Sequence, residues 1–359
     1  MDIYEPREDS ELLAEVVAKY AKGKAVDIGT GSGILAQTAH DIGCTVTALE
    51  QNLAAVMRLR GAPYKVVLGN SILKLRGKFD TVVCNPPYLP NDEGECDPAL
   101  HGGLKGYEYI VKVIRDVAQR LSPDGQFLFL ISTLTKPKVV EAALLQQGYE
   151  WTIVAREKLF MEELIVYRAT FILGEPAERI GVGWRSTVYA IDSGRVAVKV
   201  STPTRAHKEG VLLRAANKVG VGPKLIKVKD DRVWMKRIYG ERLDEWFAKH
   251  KDLRVLSNVL EQCYLLDQAG IRKSELNRPG TNVLVSEQKI VVLLDFERSI
   301  FSPKASNVAQ FASWISARLD INVQAQARAY VKNPSRSNYV VLSMALGLPV
   351  SQKSVIKAV

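Results

Sequence analysis

Metal-binding and disulfide patterns are the first things this sequence lacks. Its four cysteines, Cys44, Cys84, Cys96 and Cys263, are scattered without CxxC spacing, which argues against both a zinc site and a disulfide framework. Its four histidines, His40, His101, His207 and His250, form no ligand cluster. No apolar run reaches the length that a membrane span needs. The first ten residues, MDIYEPREDS, are acidic and hold no apolar stretch, unlike a secretory signal. What remains is a chain of 359 residues, 47% hydrophobic and 25% charged, the proportions of a soluble globular protein. That length exceeds one ordinary core, so two domains and a cytoplasmic location are the expectation.

Charge is unevenly shared. Up to Leu173 there are 19 Lys/Arg against 22 Asp/Glu, a balance of −3; from Gly174 onward 30 stand against 17, or +13. The basic excess of the second half suits either an acidic partner such as RNA or a solvated surface.

In the first half, DSELLAEVVAKYAKG (9–23) places apolar residues at helical spacing, with Asp9 or Ser10 as a cap and Gly23 as a stop. KAVDIGTGSGILAQTA then reads as a short strand, a turn with Gly29, Gly31 and Gly33, and a helix start. Glycine lets the backbone turn sharply and a ligand approach it. Glu50 ends the next strand, TVTALE, where an acid can bond ribose hydroxyls. The spacing is GxGxG rather than the GxGxxG that seats a pyrophosphate, which favours a nucleoside ligand without a diphosphate. Asn70 and Ser71 end a third strand, either beside adenine or as caps of the following turn. FDTVVC (79–84) reads as a buried strand that runs into Asn85-Pro86-Pro87-Tyr88. The prolines stop the strand and restrict Asn85. They either merely end it or present a gripping site: the Asn85 side-chain carbonyl and the Pro86 backbone carbonyl accept the two hydrogens of a planar –NH2, with Tyr88 as a wall.

Residues 1–172 resemble a class I S-adenosylmethionine-dependent methyltransferase of the HemK-like family. The stretches that carry the likeness are YEPREDS (4–10), VDIGTGSG (26–33), Glu50, NPPYLP (85–90), DPALHGGLKGYE (97–108) and LFMEELIVYR (159–168), the last being similar to the archaeal and eukaryotic branch. The resemblance implies a Rossmann-like α/β domain with a mixed seven-stranded sheet. It implies S-adenosyl-L-methionine held around Asp27, Gly29, Gly31, Gly33, Glu50, Asn70 and Ser71, and catalysis at Asn85, Pro86 and Tyr88. The implied acceptor is a glutamine N5 in the GGQ loop of a peptide-release factor. Relatives that share NPPY act instead on adenine N6 or guanine amines of RNA or DNA, and this alternative stays open. A small zinc-binding activator subunit in trans is a further implied partner. Residues 97–106 are expected to form a loop at the substrate mouth.

The methyltransferase pattern stops at residue 173, and GEPAE (174–178) reads as a linker. IGVGWRSTVYAI with Gly181 and Gly183 then forms a glycine-containing hairpin, followed by RVAVKV with Lys199. Lys199 is either an outward strand residue or a phosphate-binding lysine paired with Glu209 on the next helix. Further on, Asn282 precedes a strand and Asp295-Phe296 follows one. Residues 178–300 thus resemble an atypical protein kinase of the RIO-like or archaeal type, and the domain is expected to span 179–330. This implies an α+β bilobal kinase-like domain that binds ATP through Gly181, Gly183, Lys199, Glu209 and Asn282, and Mg2+ through Asn282 and Asp295. There are departures. Lys273-Ser274-Glu275 stands where H-R-D is usual, so Glu275 takes the catalytic Asp position, and Glu297 replaces the glycine of DFG. A non-catalytic, nucleotide-binding docking domain is therefore the competing reading. Residues 331–359 stay unassigned.

Overall fold

A computed structural model describes residues 5–91 and 100–349. Tyr4, Cys96, residues 97–99 and residues 350–359 of the stretches named above lie outside them. The chain divides into two compact units, Met1–Arg179 and Ile180–Val359. No helix among the described residues is long and apolar enough to cross a membrane.

The first unit begins with helix α1 (Glu8–Tyr20), whose acidic first turn suits the positive end of the helix dipole and whose Leu13, Val16 and Val17 are buried. Strands and helices then alternate: β1 (Lys24–Ile28), α2 (Ile34–Asp41), β2 (Thr45–Glu50), α3 (Leu53–Arg58), β3 (Lys65–Leu68), β4 (Phe79–Cys84), α4 (Glu108–Ala118), β5 (Leu121–Ser132), α5 (Pro137–Gln146), β6 (Tyr149–Lys158) and β7 (Glu163–Phe171). They build one seven-stranded sheet of order β3-β2-β1-β4-β5-β7-β6. The first five strands pair in parallel, while β7 runs antiparallel to both β5 and β6. Alternate side chains of the central strands enter two apolar clusters, with Val82, Phe127 and Phe129 in one and Val83, Leu128 and Leu130 in the other. Burial on both faces is why these strands read as continuous apolar runs. Strand order reverses between β1 and β4, and in such sheets the crevice beyond the strands' carboxyl ends receives ligands.

The second unit opens with an antiparallel sheet. Its strands are β8 (Glu178–Val182), β9 (Thr187–Ile191), β10 (Val196–Val200), β11 (Leu225–Lys229) and β12 (Arg232–Lys236), in the order β11-β12-β10-β9-β8, with α6 (Pro203–Lys218) between β10 and β11 in sequence. A mostly helical part follows. It comprises β13 (Glu241–Arg242), α7 (Leu243–His250), α8 (Leu253–Gln268), β14 (Ile271–Arg272), β15 (Val283–Val285), β16 (Val291–Leu293), β17 (Ile300–Phe301), α9 (Asn307–Leu319), α10 (Gln324–Lys332) and α11 (Arg336–Ala345). Residues 331–349, left unassigned from sequence, belong to this unit. Tyr339, Leu342, Leu346 and Leu348 join Val255, Leu256 and Phe311 in its core, and the Tyr330 hydroxyl donates to Asp267 at 2.9 Å. Helices of nine and ten residues, separated by Pro334, are too short for a clear helical period.

Candidate functional site

In the first unit the elements at the sheet's switch point converge on one cavity, lined among others by Gly29, Gly31, Glu50, Asn70, Asn85, Pro86 and Tyr88. The turn after β1 runs through positive φ at Gly29 (71°) and Gly31 (53°). Glu50 pins this turn: its Oε2 accepts from Gly31 N at 2.9 Å and its Oε1 from Gln51 N and Asn52 N at 2.8 Å. A carboxylate has about four acceptor sites, so Glu50 keeps capacity for the hydroxyls of a ribose. Asn85, at the end of β4, is held by its amide nitrogen, which donates to Asp9 Oδ2 at 3.0 Å and to Ser10 Oγ at 3.4 Å. Its Oδ1 is buried and unpartnered. An unsatisfied buried acceptor costs about 1–3 kcal/mol, and here it stands ready for a donor from a ligand.

Asp9 and Ser10, each 4% exposed, were read from sequence as a helix cap and as part of the YEPREDS stretch, but α1 starts at Glu8 with Arg7 at the cap position. The role of Asp9 and Ser10 is to aim Asn85, and the available signal was an acid and a serine on the expected buried face of α1. Three other residues stand outside the cavity lining. Asp27 is buried behind the turn and accepts from Thr30 Oγ1 at 2.6 Å. Burial raises its carboxyl to about 7, against the opposing hydrogen bonds from Thr30 and the Ala36 backbone. Gly33, at φ 88°, caps α2, and a Cβ there would meet Leu59 and Tyr64 side chains at 2.7 and 2.8 Å. Ser71 caps the following turn through Leu73 N at 3.2 Å and donates to Asp116 at 2.8 Å, the second of its two readings.

The chemistry of the lining tests which cofactor fits. Asp9 and Glu50 line the cavity, and among the described lining residues there is no lysine or arginine. A cationic sulfonium suits such a site, whereas the phosphates of a dinucleotide would meet only like charge.

In the second unit one cavity of about 640 Å³ is lined by Gly181, Gly183, Lys199, Glu209, Glu275, Asn282 and Asp295. Lys199, on β10, is buried rather than outward. Its Nζ lies 2.9 Å from Glu209 and 2.8 Å from Asp295. Burial pulls its ammonium down, but the two carboxylates more than offset this and leave its pKa above the ordinary value. Asp295 and Glu275 both hold left-handed backbone conformations, at φ 58° and 72°. Such strain in a non-glycine residue costs on the order of 1 kcal/mol and gathers at functional sites. Glu275 is fixed by Asn282 Nδ2 at 3.3 Å and by the Arg298 guanidinium. Glu297 adopts no positive φ, so a side chain is tolerated at this position. Its carboxylate turns inward, 3.5 Å from both Lys199 and Arg205. Carboxylate oxygens of Glu209, Asp295 and Glu297 lie within 4.8 Å of one another, and the Lys199 ammonium already meets all three. Lys273, read from sequence only as the first residue of the stretch in place of H-R-D, is buried with its Nζ donating to the Asp295 carbonyl at 2.6 Å. Burial pushes its pKa down to about 8.

The mixed seven-stranded sheet, its switch-point crevice and the acidic cavity at NPPY define the first unit as the catalytic domain of an S-adenosylmethionine-dependent N-methyltransferase. Residues 7–161 match the model of the methyltransferase small domain, and through this unit the chain belongs to that family. A provisionally named protein N5-glutamine methyltransferase of Methanocaldococcus jannaschii is 30% identical over 47% of this chain and 91% of its own length. A release factor glutamine methyltransferase of Gloeobacter violaceus is 28% identical over 45% of this chain and 65% of its own. The chain thus spans slightly less than two thirds of that bacterial relative. The Mtq2–Trm112 complex of E. cuniculi, described as methylating the termination factor eRF1, aligns at 26% identity over 48% of this chain and 99% of that one, with a TM-score of 0.42.

Proposed function

We propose that the first unit methylates N5 of a glutamine side chain in a peptide-release factor. The unpartnered Asn85 Oδ1 carries the reading of an –NH2 acceptor, and the likeness to glutamine methyltransferases favours glutamine over a base. An amide –NH2 is a poor nucleophile because its lone pair is delocalised. Asn85 Oδ1 and the Pro86 carbonyl accept its two hydrogens, which localises the lone pair and directs it into the cavity, while Tyr88 flanks the amide plane. S-adenosylmethionine, when bound, supplies an electrophilic methyl carbon. Orientation of this kind lowers a barrier by roughly 7–11 kcal/mol. The acceptors also stabilise the positive charge that grows on nitrogen, so they act on the transition state rather than on the ground state. No general base is required, because the methylated nitrogen releases its proton to solvent.

A small activator subunit in trans is part of the same reading. Support comes from β3, an edge strand of the sheet, whose Leu68 is exposed, as are Leu53 and Met57 of α3. The test for the acceptor offers methyl-labelled S-adenosylmethionine and the full chain to a release factor and, separately, to tRNA and rRNA. Label is expected on a release-factor glutamine. Asn85→Ala is expected to lower kcat by about 10²–10³ with cofactor binding retained. Label in RNA alone would overturn the assignment.

For the second unit the proposal is an ATP-binding, kinase-like domain that phosphorylates a protein hydroxyl. Lys199 held between Glu209 and Asp295 supports it. Val188, Ala197, Met235, Leu284 and Leu294 supply apolar cavity walls suited to a base. Asp295 and Asn282 would hold Mg2+, which neutralises phosphate charge, and Glu275 would orient the acceptor hydroxyl. Transfer of label from ATP to protein, lost in Lys199→Ala and Asp295→Ala, is the expected result; undiminished transfer in both variants would refute it.

A further inference from the structure

Beside Glu275 lies a second cavity, of about 660 Å³, lined by Arg242, Asp244, Glu275, Arg278, Trp314 and Arg318 among others. Its three arginines come from separate segments: the end of β13, the loop before β15, and the last turn of α9. We propose that this pocket recognises acidic side chains of a peptide substrate, on the reading of the second unit as a kinase-like domain.

The charge balance supports it. Among the described residues, Arg242, Arg278 and Arg318 carry no ion pair. Of the two lining carboxylates, Glu275 is paired with Arg298 and bonded by Asn282, while Asp244 accepts only the backbone N–H of Glu245, at Oδ1. Three unpaired guanidinium groups against one carboxylate without an ion pair leave the pocket with net cationic capacity. Arg318 is held by stacking, with its guanidinium carbon 3.9 Å from the Trp314 ring centroid, so less side-chain entropy is lost when it pairs.

Position supports it too. Arg242 and Glu275 line both this pocket and the cavity that holds Lys199 and Asp295. An acceptor hydroxyl brought to Glu275 leaves its neighbours along an extended chain, spaced roughly 3.3 Å per residue, beside the arginines. The same geometry disfavours RNA. The volume is that of a small-ligand pocket, two carboxylates interrupt the basic lining, and Arg318 already covers the Trp314 face on which a base would stack. Guanidinium forks match carboxylates and phosphates alike in bidentate pairs, so the preference for a carboxylate rests on the pocket's volume and lining.

The test measures fluorescence anisotropy of the full-length protein with fluorescein-labelled serine peptides that differ only in flanking Glu, Gln or Lys, and with single-stranded RNA of equal length. The Glu peptide is expected to bind at least tenfold tighter than the Gln peptide. Arg278→Gln and Arg318→Gln should each remove most of that preference, with unchanged melting temperature and unchanged affinity for a fluorescent ATP analogue. Arg318→Glu should shift preference toward the Lys peptide. Equal binding of Glu and Gln peptides, tighter binding of RNA, or an acidic preference that survives all three variants would overturn the proposal. If the acidic preference holds while the ATP analogue fails to bind, the pocket stands and the kinase-like reading falls.

Discussion

Asn85 and Asp27 sit at the ends of adjacent strands, and burial acts on them in opposite ways. Asn85 is neutral, so its unpartnered oxygen can wait for a donor at a modest cost. Asp27 is ionisable and has one carboxylate oxygen without a partner, so it resists ionisation instead. Its carboxyl rises from 3.8 to about 7, mainly through desolvation. Between those pH values the folded state keeps a proton that the unfolded chain has lost, so stability falls as pH rises through the window and is level above it. The cofactor-free protein is expected to lose about 2–4 kcal/mol between pH 4 and pH 7 from this group. Asp27→Asn should flatten that slope in denaturant titrations of the first unit's transition; an unchanged slope would show that Asp27 ionises normally. Such environments explain which residues were legible in the sequence. Asn85, Glu50, Lys199 and Asp295 sit in fixed local patterns. Asp9 reaches Asn85 from 76 positions away and Lys273 reaches the Asp295 carbonyl across 22, so no spacing rule would pair them.

At the scale of elements, the strand end that carries Asn85 is clamped by residues 100–106. Leu89 N donates to the Leu100 carbonyl and Gly102 N to the Leu89 carbonyl, both at 3.0 Å, and Asn91 N donates to Gly103 at 3.0 Å. Two glycines make this approach possible. A Cβ on Gly102 would lie 2.4 Å from the Pro87 carbonyl, and one on Gly106, at φ 83°, would lie 2.5 Å from that of Tyr88. These neighbours are backbone atoms and cannot swing aside. Gly106→Ala should therefore push the NPPY segment away from its seat. Methyl transfer is expected to fall by about 10²-fold, since displacements near an ångström suffice for that. The melting temperature should drop only by roughly 2–8 °C, the equivalent of 1–2 kcal/mol of local strain. Steady-state kinetics with cofactor-binding titration would check this, and an unaltered kcat would show that the clamp does not set the geometry. From sequence the HGGLKG stretch was legible as a loop. Its pairing with residues 87–91 was not, because glycines announce permissive backbone without naming what approaches it.

For the whole molecule, the apolar clusters divide as the chain does. Both clusters of the first unit are built from residues up to Phe171, and that of the second runs from Leu212 to Leu348. The change of pattern near residue 173 was visible because glycine-and-strand order replaced alternating βα units, whereas the extent of the second unit was hidden in its two short final helices. Units with separate cores unfold as separate cooperative events unless an interface couples them strongly. Calorimetry is expected to show two transitions. A ligand at a hundredfold excess over its Kd adds about 2.7 kcal/mol to the unit that binds it, or roughly 5–10 °C for a unit of this size. S-adenosylmethionine should raise one transition and leave the other in place, while ATP with Mg2+ should do the converse. Asn85→Ala should retain both shifts if, as proposed, its side chain grips the acceptor rather than the cofactor, and Lys199→Ala should lose only the ATP shift. A single transition raised by either ligand would mean that the two units fold and bind as one, and that substitutions in one site must then be read through the other.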